Sequence, residues 1–277
     1  MTDLPAAPWR LIVDEPADGA RNMAIDEALL LSVQQGLAPV TVRFYRWRPA
    51  TVSLGYFQPA EDVDLGVVHS LGLGLVRRPT GGRAILHDDE LTYSIAVPAD
   101  VIPGGRSIGR SYMAITRALL LGLQLLGVRG SVGKAEATRN NLTRACFALS
   151  TRADVSAGGA KIIGSAQVRR GGVILQHGSI PLTLDASLHA RLFGAADAEK
   201  AAAGGLADIL GRRPSWQEMI EAFAEGFRRA FDVELAPGEL SHRELSLAED
   251  LRRTKYGTAE FTLKPPERQQ TRPSEDR

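Results

Sequence analysis

Two extended runs joined by a double glycine lie past the middle of this chain, and no other feature limits its fold as strongly. Residues 160–168 and 173–182 flank Arg169-Arg170-Gly171-Gly172, the pattern of a tight β-hairpin. An earlier pair, 73–78 and 84–97, flanks Pro79-Thr80-Gly81-Gly82-Arg83, and reads as one sheet continuing through a second glycine turn. Further upstream Val40, Val42 and Phe44 alternate with Thr41, Arg43 and Tyr45. The run 50–57 follows Pro49, so two half-buried strands paired through a short turn are predicted. Helical spacing separates these runs. Met23, Ala24, Ala28 and Leu31 predict a helix over 22–35 that starts at Asn22 and stops at Gly36. A second helix is predicted over 108–126, with Ile115, Leu119, Leu123 and Leu126 on the face that covers the sheet. The fold class expected is α+β, with mixed, largely antiparallel sheets flanked by helices.

From about residue 184 the pattern turns mainly helical and predicts a small C-terminal appendage. Ser215-Trp216-Gln217-Glu218 and Ser241-His242-Arg243-Glu244 both have capping-box form, the first leading into Ile220, Phe223 and Phe227 on one face. The last residues, 264–277, are prolyl and charged without an aromatic, and read as a disordered tail. Between 129 and 145 lies a polar stretch without apolar periodicity, long enough to call for either a functional or a disorder explanation.

Composition narrows the function classes. Against 33 Lys and Arg stand 32 Asp and Glu, a net charge of +1, so there is no overall field to hold a nucleic-acid backbone or an anionic membrane. Any anion site must be local. The longest apolar run, 118–128, contains Gln124 and falls far short of the ~20 residues that span a bilayer. Residues 1–10 lack the basic start and apolar stretch of a secretory signal, which predicts a cytoplasmic protein. One cysteine, Cys146, excludes an intrachain disulfide and a cysteine-rich zinc site.

Three groups of residues could carry chemistry. Arg78, Thr80, Gly81, Gly82 and Arg83, followed by His87-Asp88, form either a hairpin with a basic rim or a cradle whose glycine N–H groups face a ligand oxygen. A strand follows these glycines, which separates them from the dinucleotide fingerprint. Lys161 with Gly164, Ser165, Ala166 and Gln167, opposite Gln176, His177, Gly178 and Ser179, could form a narrow slot, because small residues in a strand mark close approach. His177 taken alone reads as a structural histidine, and the scattered histidines offer no metal-ligand spacing. Cys146, between Ala145 and Phe147, is either a small buried hydrophobe or a nucleophile. It ends a polar stretch, and Lys161 opens a strand that could face it. A thiol with pKa ~8.5 is only a few per cent thiolate at neutral pH, and a neighbouring ammonium would stabilise the anion.

Taken together these strings resemble the lipoate and biotin protein ligase superfamily, and within it the LipM-type octanoyltransferase branch. The resemblance runs over residues 8–257. Its strings are Asn22-Met23-Ala24-Ile25-Asp26-Glu27, Arg43-Phe44-Tyr45, Arg77-Arg78-Pro79-Thr80-Gly81-Gly82-Arg83, Glu90-Leu91-Thr92-Tyr93-Ser94, Gly164-Ser165-Ala166-Gln167 and Gln176-His177-Gly178-Ser179. It implies the catalytic fold of that superfamily and an acyltransferase of lipoate biosynthesis. Such an enzyme takes octanoate from octanoyl-acyl carrier protein, holds it as a thioester on Cys146 and passes it to a lysine of a lipoyl domain, such as the glycine-cleavage H protein. Lys161 is the implied catalytic partner, with Asp154 where an acidic residue is expected. Arg78, Thr80, Gly81, Gly82, Arg83, His87, Gly164, Ser165, Ala166, Gln167, His177 and Gly178 are implied to bind substrate. No cofactor and no metal is implied, and a monomer is expected. An ATP-dependent lipoate ligase and a catalytically silent binder of lipoyl domains are the alternatives.

Overall fold

The computed structural model describes residues 8–132, 154–158, 160–194 and 205–267; Cys146 lies outside the described residues. In chain order the elements are β1 (Trp9–Val13), α1 (Gly19–Gln34), β2 (Thr41–Tyr45), β3 (Thr51–Leu54), α2 (Leu65–Ser70), β4 (Gly74–Arg77), β5 (Ile85–His87), β6 (Glu90–Pro98) and α3 (Ile108–Leu125). There follow β7 (Ser131–Val132), β8 (Val155–Ala157), β9 (Ala160–Arg170), β10 (Val173–Pro181), α4 (Ala186–Phe193), α5 (Leu206–Leu210), α6 (Trp216–Phe231), β11 (Leu235–Pro237), α7 (His242–Leu251), a π-turn over Arg252–Tyr256 and α8 (Ala259–Leu263). No helix among the described residues is long and apolar enough to cross a membrane.

Eight strands form one mixed sheet in the order β11-β1-β2-β6-β10-β9-β8-β7, and β4-β3-β5 form a second, smaller one. Both faces of the large sheet are covered. On one, Val42, Phe44, Tyr93 and Ile95 pack against Ile115, Leu119 and Leu123 of α3 and Phe223 and Phe227 of α6. On the other, Tyr45, Ala96 and Leu175 meet Met23, Ala24 and Leu30 of α1, with Ala248 of α7 beyond. The small sheet has its own core of Val52, Leu54, Leu86, Val63 and Val68, closed by Leu192 of α4.

The hairpin and α3 lie where their spacing predicts them, and α1 does so apart from its start. Gly171 and Gly172 both take positive φ, 54° and 80°, and set the register that pairs Gln176 with Gln167 and His177 with Ala166. Ser215 and Ser241 cap α6 and α7, although the Glu218 carboxylate turns away to Arg212 while that of Glu244 completes its box.

Four expectations need correction. The first helix begins a turn earlier, because Asp18 caps it by accepting from the Arg21 N–H at 2.8 Å. Asn22 then lies inside the helix, and its side-chain amide donates to the carbonyls of Ala17 and Arg46. Strands β2 and β3 do not pair: β2 sits between β1 and β6, whereas β3 centres the small sheet. β2 is buried throughout rather than half-buried, since α1 covers its second face and supplies carboxylate to Arg43. The Gly81-Gly82 segment is likewise no hairpin turn. It carries the chain across β3, placing β4 parallel on one side and β5 antiparallel on the other. The region from about 184 is mainly helical, as expected, and adds one short strand. β11 pairs in parallel with β1 at the edge of the large sheet, and α6 shares its core.

Candidate active site

Arg77 ends β4 and Arg78 follows it; both are buried, and among the described residues neither has a carboxylate partner. Arg77 donates to the carbonyls of Gly55 (2.7 Å), Gln58 (2.6 Å), Phe261 (3.0 Å) and Thr262 (2.8 Å), so it ties the C-terminal helix α8 to the loop after β3. Arg78 donates to the carbonyls of Ser53, Gly81 and Arg83 and to the Ser53 hydroxyl. Burial pushes its guanidinium down to about 10. The loop it holds is pressed onto β3, where a Cβ on Gly55 would lie 1.9 Å from the Gly82 carbonyl oxygen, and Gly82 itself has φ +97°. Among the described residues, the N–H groups of Gly81 and Gly82 donate to no protein acceptor.

Behind that loop run two buried polar chains. In the first, Asp26 of α1 accepts from Arg43 (2.9 Å) and Ser94 (2.8 Å) on one oxygen, and from the Tyr45 hydroxyl (2.9 Å) on the other. That second oxygen also lies 3.1 Å from His177 Nδ1, while His177 Nε2 lies 2.6 Å from the Thr80 hydroxyl. Burial raises the Asp26 carboxyl, but His177, Arg43 and Ser94 outweigh it and hold the group below the usual carboxylate range. Burial also pushes the His177 imidazole down in spite of Asp26, with Arg78 and His87 adding to the shift. A neutral ring whose Nδ1–H faces a carboxylate leaves Nε2 as an acceptor, so Thr80 donates. In the second chain, Glu90 accepts from Ser179 (2.5 Å) and Thr92, and pairs with His87 Nδ1 at 2.8 Å. His87 Nε2 meets the Ser53 hydroxyl at 2.9 Å, and its ring stacks on Trp47 with centroids 4.0 Å apart.

Across the sheet, β9 and β10 present a different surface. Gly164, Ser165, Ala166 and Gln167 are partly exposed. The Tyr93 hydroxyl lies 2.8 Å from Ser165 Oγ and accepts from Gln176 at 2.8 Å; Gln167 donates to Gln176 at 2.9 Å. A Cβ on Gly178 would lie 2.6 Å from the Gly164 carbonyl oxygen and from the Tyr93 ring, so only glycine lets these strands close over the tyrosine. At the start of β9 the Lys161 ammonium lies 2.8 Å from Asp154, with its side chain 55% exposed and its last methylene beside Gly164. Burial raises the Asp154 carboxyl, and Lys161 offsets this only in part. For Tyr112 of α3, burial, Tyr93 and Asp154 push the hydroxyl well up, and the Gln167 backbone and Arg78 pull it part of the way back.

Of the residues the sequence singles out, Thr80 and His177 are in direct contact, and Arg78 with Gly81, Gly82 and Arg83 forms one loop. Lys161 and Gly164 adjoin on β9. Arg78 and His87 face inward, with polar atoms engaged by the chain itself. Asp26, Glu90, Tyr93 and Tyr112 carry the networks yet were given no role from sequence. Asn22 and Asp26, polar and four apart within an apolar helix, were the available signal. A separate cavity of about 120 Å³ lies under β6 and α4, lined by Asp88, Asp89, Thr183, Asp185 and His189.

A large mixed sheet flanked by helices, with a glycine loop pinned by buried arginines and a lysine at the head of a long hairpin, defines a lipoyl-ligase type of catalytic domain. The chain belongs to the lipoyl protein ligase A/B catalytic domain family, whose model matches residues 18–228. It is 42% identical over 271 residues to a protein of Symbiobacterium thermophilum named octanoyltransferase LipM, covering 92% of this chain and 98% of that one. A relative of the same name from Brevibacillus brevis is 43% identical, covering 92% and 99%. Among solved structures, lipoate-protein ligase A bound with ATP superposes with a TM-score of 0.79 at 29% identity, over 93% of this chain and 99% of that one. The bi-partite lipoate protein ligase of Thermoplasma acidophilum, studied with its E2 lipoyl domain, gives 0.79 at 27%, over 95% and 99%.

Proposed function

We propose that this protein is an octanoyltransferase of lipoate biosynthesis that moves octanoate from octanoyl-acyl carrier protein to a lysine of a lipoyl domain through a thioester on Cys146. The observation that carries the activity is the 42–43% identity, over nearly the full length of both chains, to proteins named octanoyltransferase. In the first step the Cys146 thiolate attacks the donor thioester carbonyl and expels the carrier's thiolate, which takes up a proton. One thioester replaces another, so no nucleotide is needed. In the second step the neutral amine of the acceptor lysine attacks the Cys146 thioester and the thiolate leaves, an exchange of thioester for amide that runs downhill.

The barrier of the second step is kinetic, because an amine of pKa ~10.4 is almost wholly protonated at neutral pH. Lys161 serves both steps: its ammonium favours the thiolate and it relays the acceptor's proton. Its placement supports this role, since it is more than half exposed and, among the described residues, pairs with Asp154. The free N–H groups of Gly81 and Gly82 suit a developing oxyanion, and the partly exposed strand from Gly164 to Gln167 suits the acyl chain. Arg78, His177 and Thr80 set that loop from behind.

The likeness to lipoate-protein ligase A bound with ATP favours a second reading, an adenylating ligase. One experiment separates the two. Incubation with octanoyl-acyl carrier protein, without ATP, is expected to add the mass of one octanoyl group to the wild-type chain and none to Cys146→Ala. Absence of the adduct together with ATP-dependent acylation of a lipoyl domain would overturn the proposal.

A further inference from the structure

With a net charge of only +1, this chain needs a local site to hold an anionic partner, and α3 provides one. From Val101 to Ala135 the sequence has Arg106, Arg110, Arg117, Arg129 and Lys134 and no acidic residue, so the rest of the chain is net acidic. The helix sorts these residues by face. Tyr112, Ile115 and Leu119 are buried, while Arg110, Met113 and Arg117, spaced three and four apart, are exposed along one stripe, with Arg106 exposed in the turn before the helix. Met113 is 49% exposed, which gives the stripe an apolar centre between basic residues. Among the described residues none of Arg106, Arg110 and Arg117 forms an ion pair, and Arg110 lays its methylenes across Gly104.

The stripe adjoins the candidate active site. Ser111, one residue from Arg110, lies 3.3 Å from the Gln167 side chain on β9 and accepts from Arg169 at 2.5 Å. Tyr112 is within electrostatic reach of both Asp154 and Arg78. A protein docked on the outer face of α3 thus stands one helix diameter from Lys161's strand.

We infer that this stripe docks the acyl donor: a protein with an acidic helical surface around the attachment point of its acyl arm, held by Arg106, Arg110 and Arg117 with Met113 at the centre. The inference rests on the octanoyl-transfer reading for the donor's identity. Charge chooses between the two protein substrates. The donor brings its thioester on an arm anchored by an anionic phosphodiester, which a basic stripe attracts, whereas the reacting lysine of the acceptor offers the stripe no negative charge. Arginine and methionine also have the composition of a protein-binding centre, and unpaired surface cations act chiefly on encounter.

The test measures binding and transfer separately. Acyl carrier protein is titrated by calorimetry into the wild-type chain and into Arg110→Glu/Arg117→Glu at low and high salt, and the octanoyl adduct is followed by mass in parallel. Affinity of the wild type is expected to fall with salt, and the double variant is expected to bind about tenfold more weakly at low salt. Transfer from a small octanoyl thioester, which has no protein to dock, should be equal in both. Arg110→Gln/Arg117→Gln, checked for an unchanged Tm, should lose an intermediate amount. Unchanged affinity in the folded variants overturns the inference, as does a selective rise in KM for the lipoyl domain, which would give the stripe to the acceptor. If the wild type binds the carrier but forms no adduct, the transfer reading fails while the binding result still decides the surface.

Discussion

Arg78 and Lys161 stand in opposite environments, although both are cations in strings that point to ligand binding. Arg78 is 5% exposed, meets only oxygen atoms of its own chain, and fixes the Gly81-Gly82-Arg83 loop. The Lys161 side chain is 55% exposed and, among the described residues, meets the Asp154 carboxylate. A buried guanidinium whose donors are saturated cannot be released to a ligand without leaving carbonyls unpaired, whereas an exposed ammonium on one partner can exchange it at little cost. The first builds the candidate site, and the second is exposed beside it.

The comparison can be broken by substitution. The largest effect is expected for Lys161→Ala, with acyl transfer slowed about 100-fold or more and Tm nearly unchanged. Recovery of the variant's rate at high pH would assign Lys161 to lowering the thiol pKa, and no recovery would assign it to proton relay. Arg78→Ala should show the reverse balance. Stability falls by about 3 kcal/mol as the carbonyls of Ser53, Gly81 and Arg83 lose their donor, and urea unfolding measures it. Equal stability losses in the two variants would erase the distinction. Asp26→Asn probes the layer beneath. It leaves Arg43 buried beside a neutral amide, with an expected loss of about 2 kcal/mol by the same measurement.

The smallest effect is in pH dependence. The His177 ring resists protonation in the folded state, so its contribution is complete above its ordinary value of 6.5 and is lost as pH falls below it. Asp26, Glu27 and Glu90 are held below their ordinary values, so their contributions disappear at lower pH still. Thermal unfolding followed downward from neutral pH should therefore weaken in two stages, and His177→Gln should remove the first.

Much of the architecture was legible because local rules dominated it. The Gly171-Gly172 turn forces its hairpin and register, and the spacing from Ile115 to Leu126 marks the inner face of α3. The start of α1 was legible too, in Asp18 followed three residues later by Arg21, but the polar Asn22 drew the boundary inward. Periodicity could not assign β2 and β3 to different sheets, since each run is equally compatible with either partner. The site divides the same way. Thr80, Gly81, Gly82 and Lys161 stand out as residue types, but their functional separation depends on which atoms are already engaged. Asp26 and Glu90 organise the interior from helix and strand positions that look ordinary in one dimension.

What the chain alone determined are its elements, its local balance of charge, and the strings that tie it to a family, because each depends on neighbours within a few residues. Tertiary structure decided which of its cations were enclosed and which were left facing solvent. That choice depends on contacts such as Arg77 with Thr262 and His177 with Asp26, between residues more than a hundred positions apart, whose meeting no local spacing encodes.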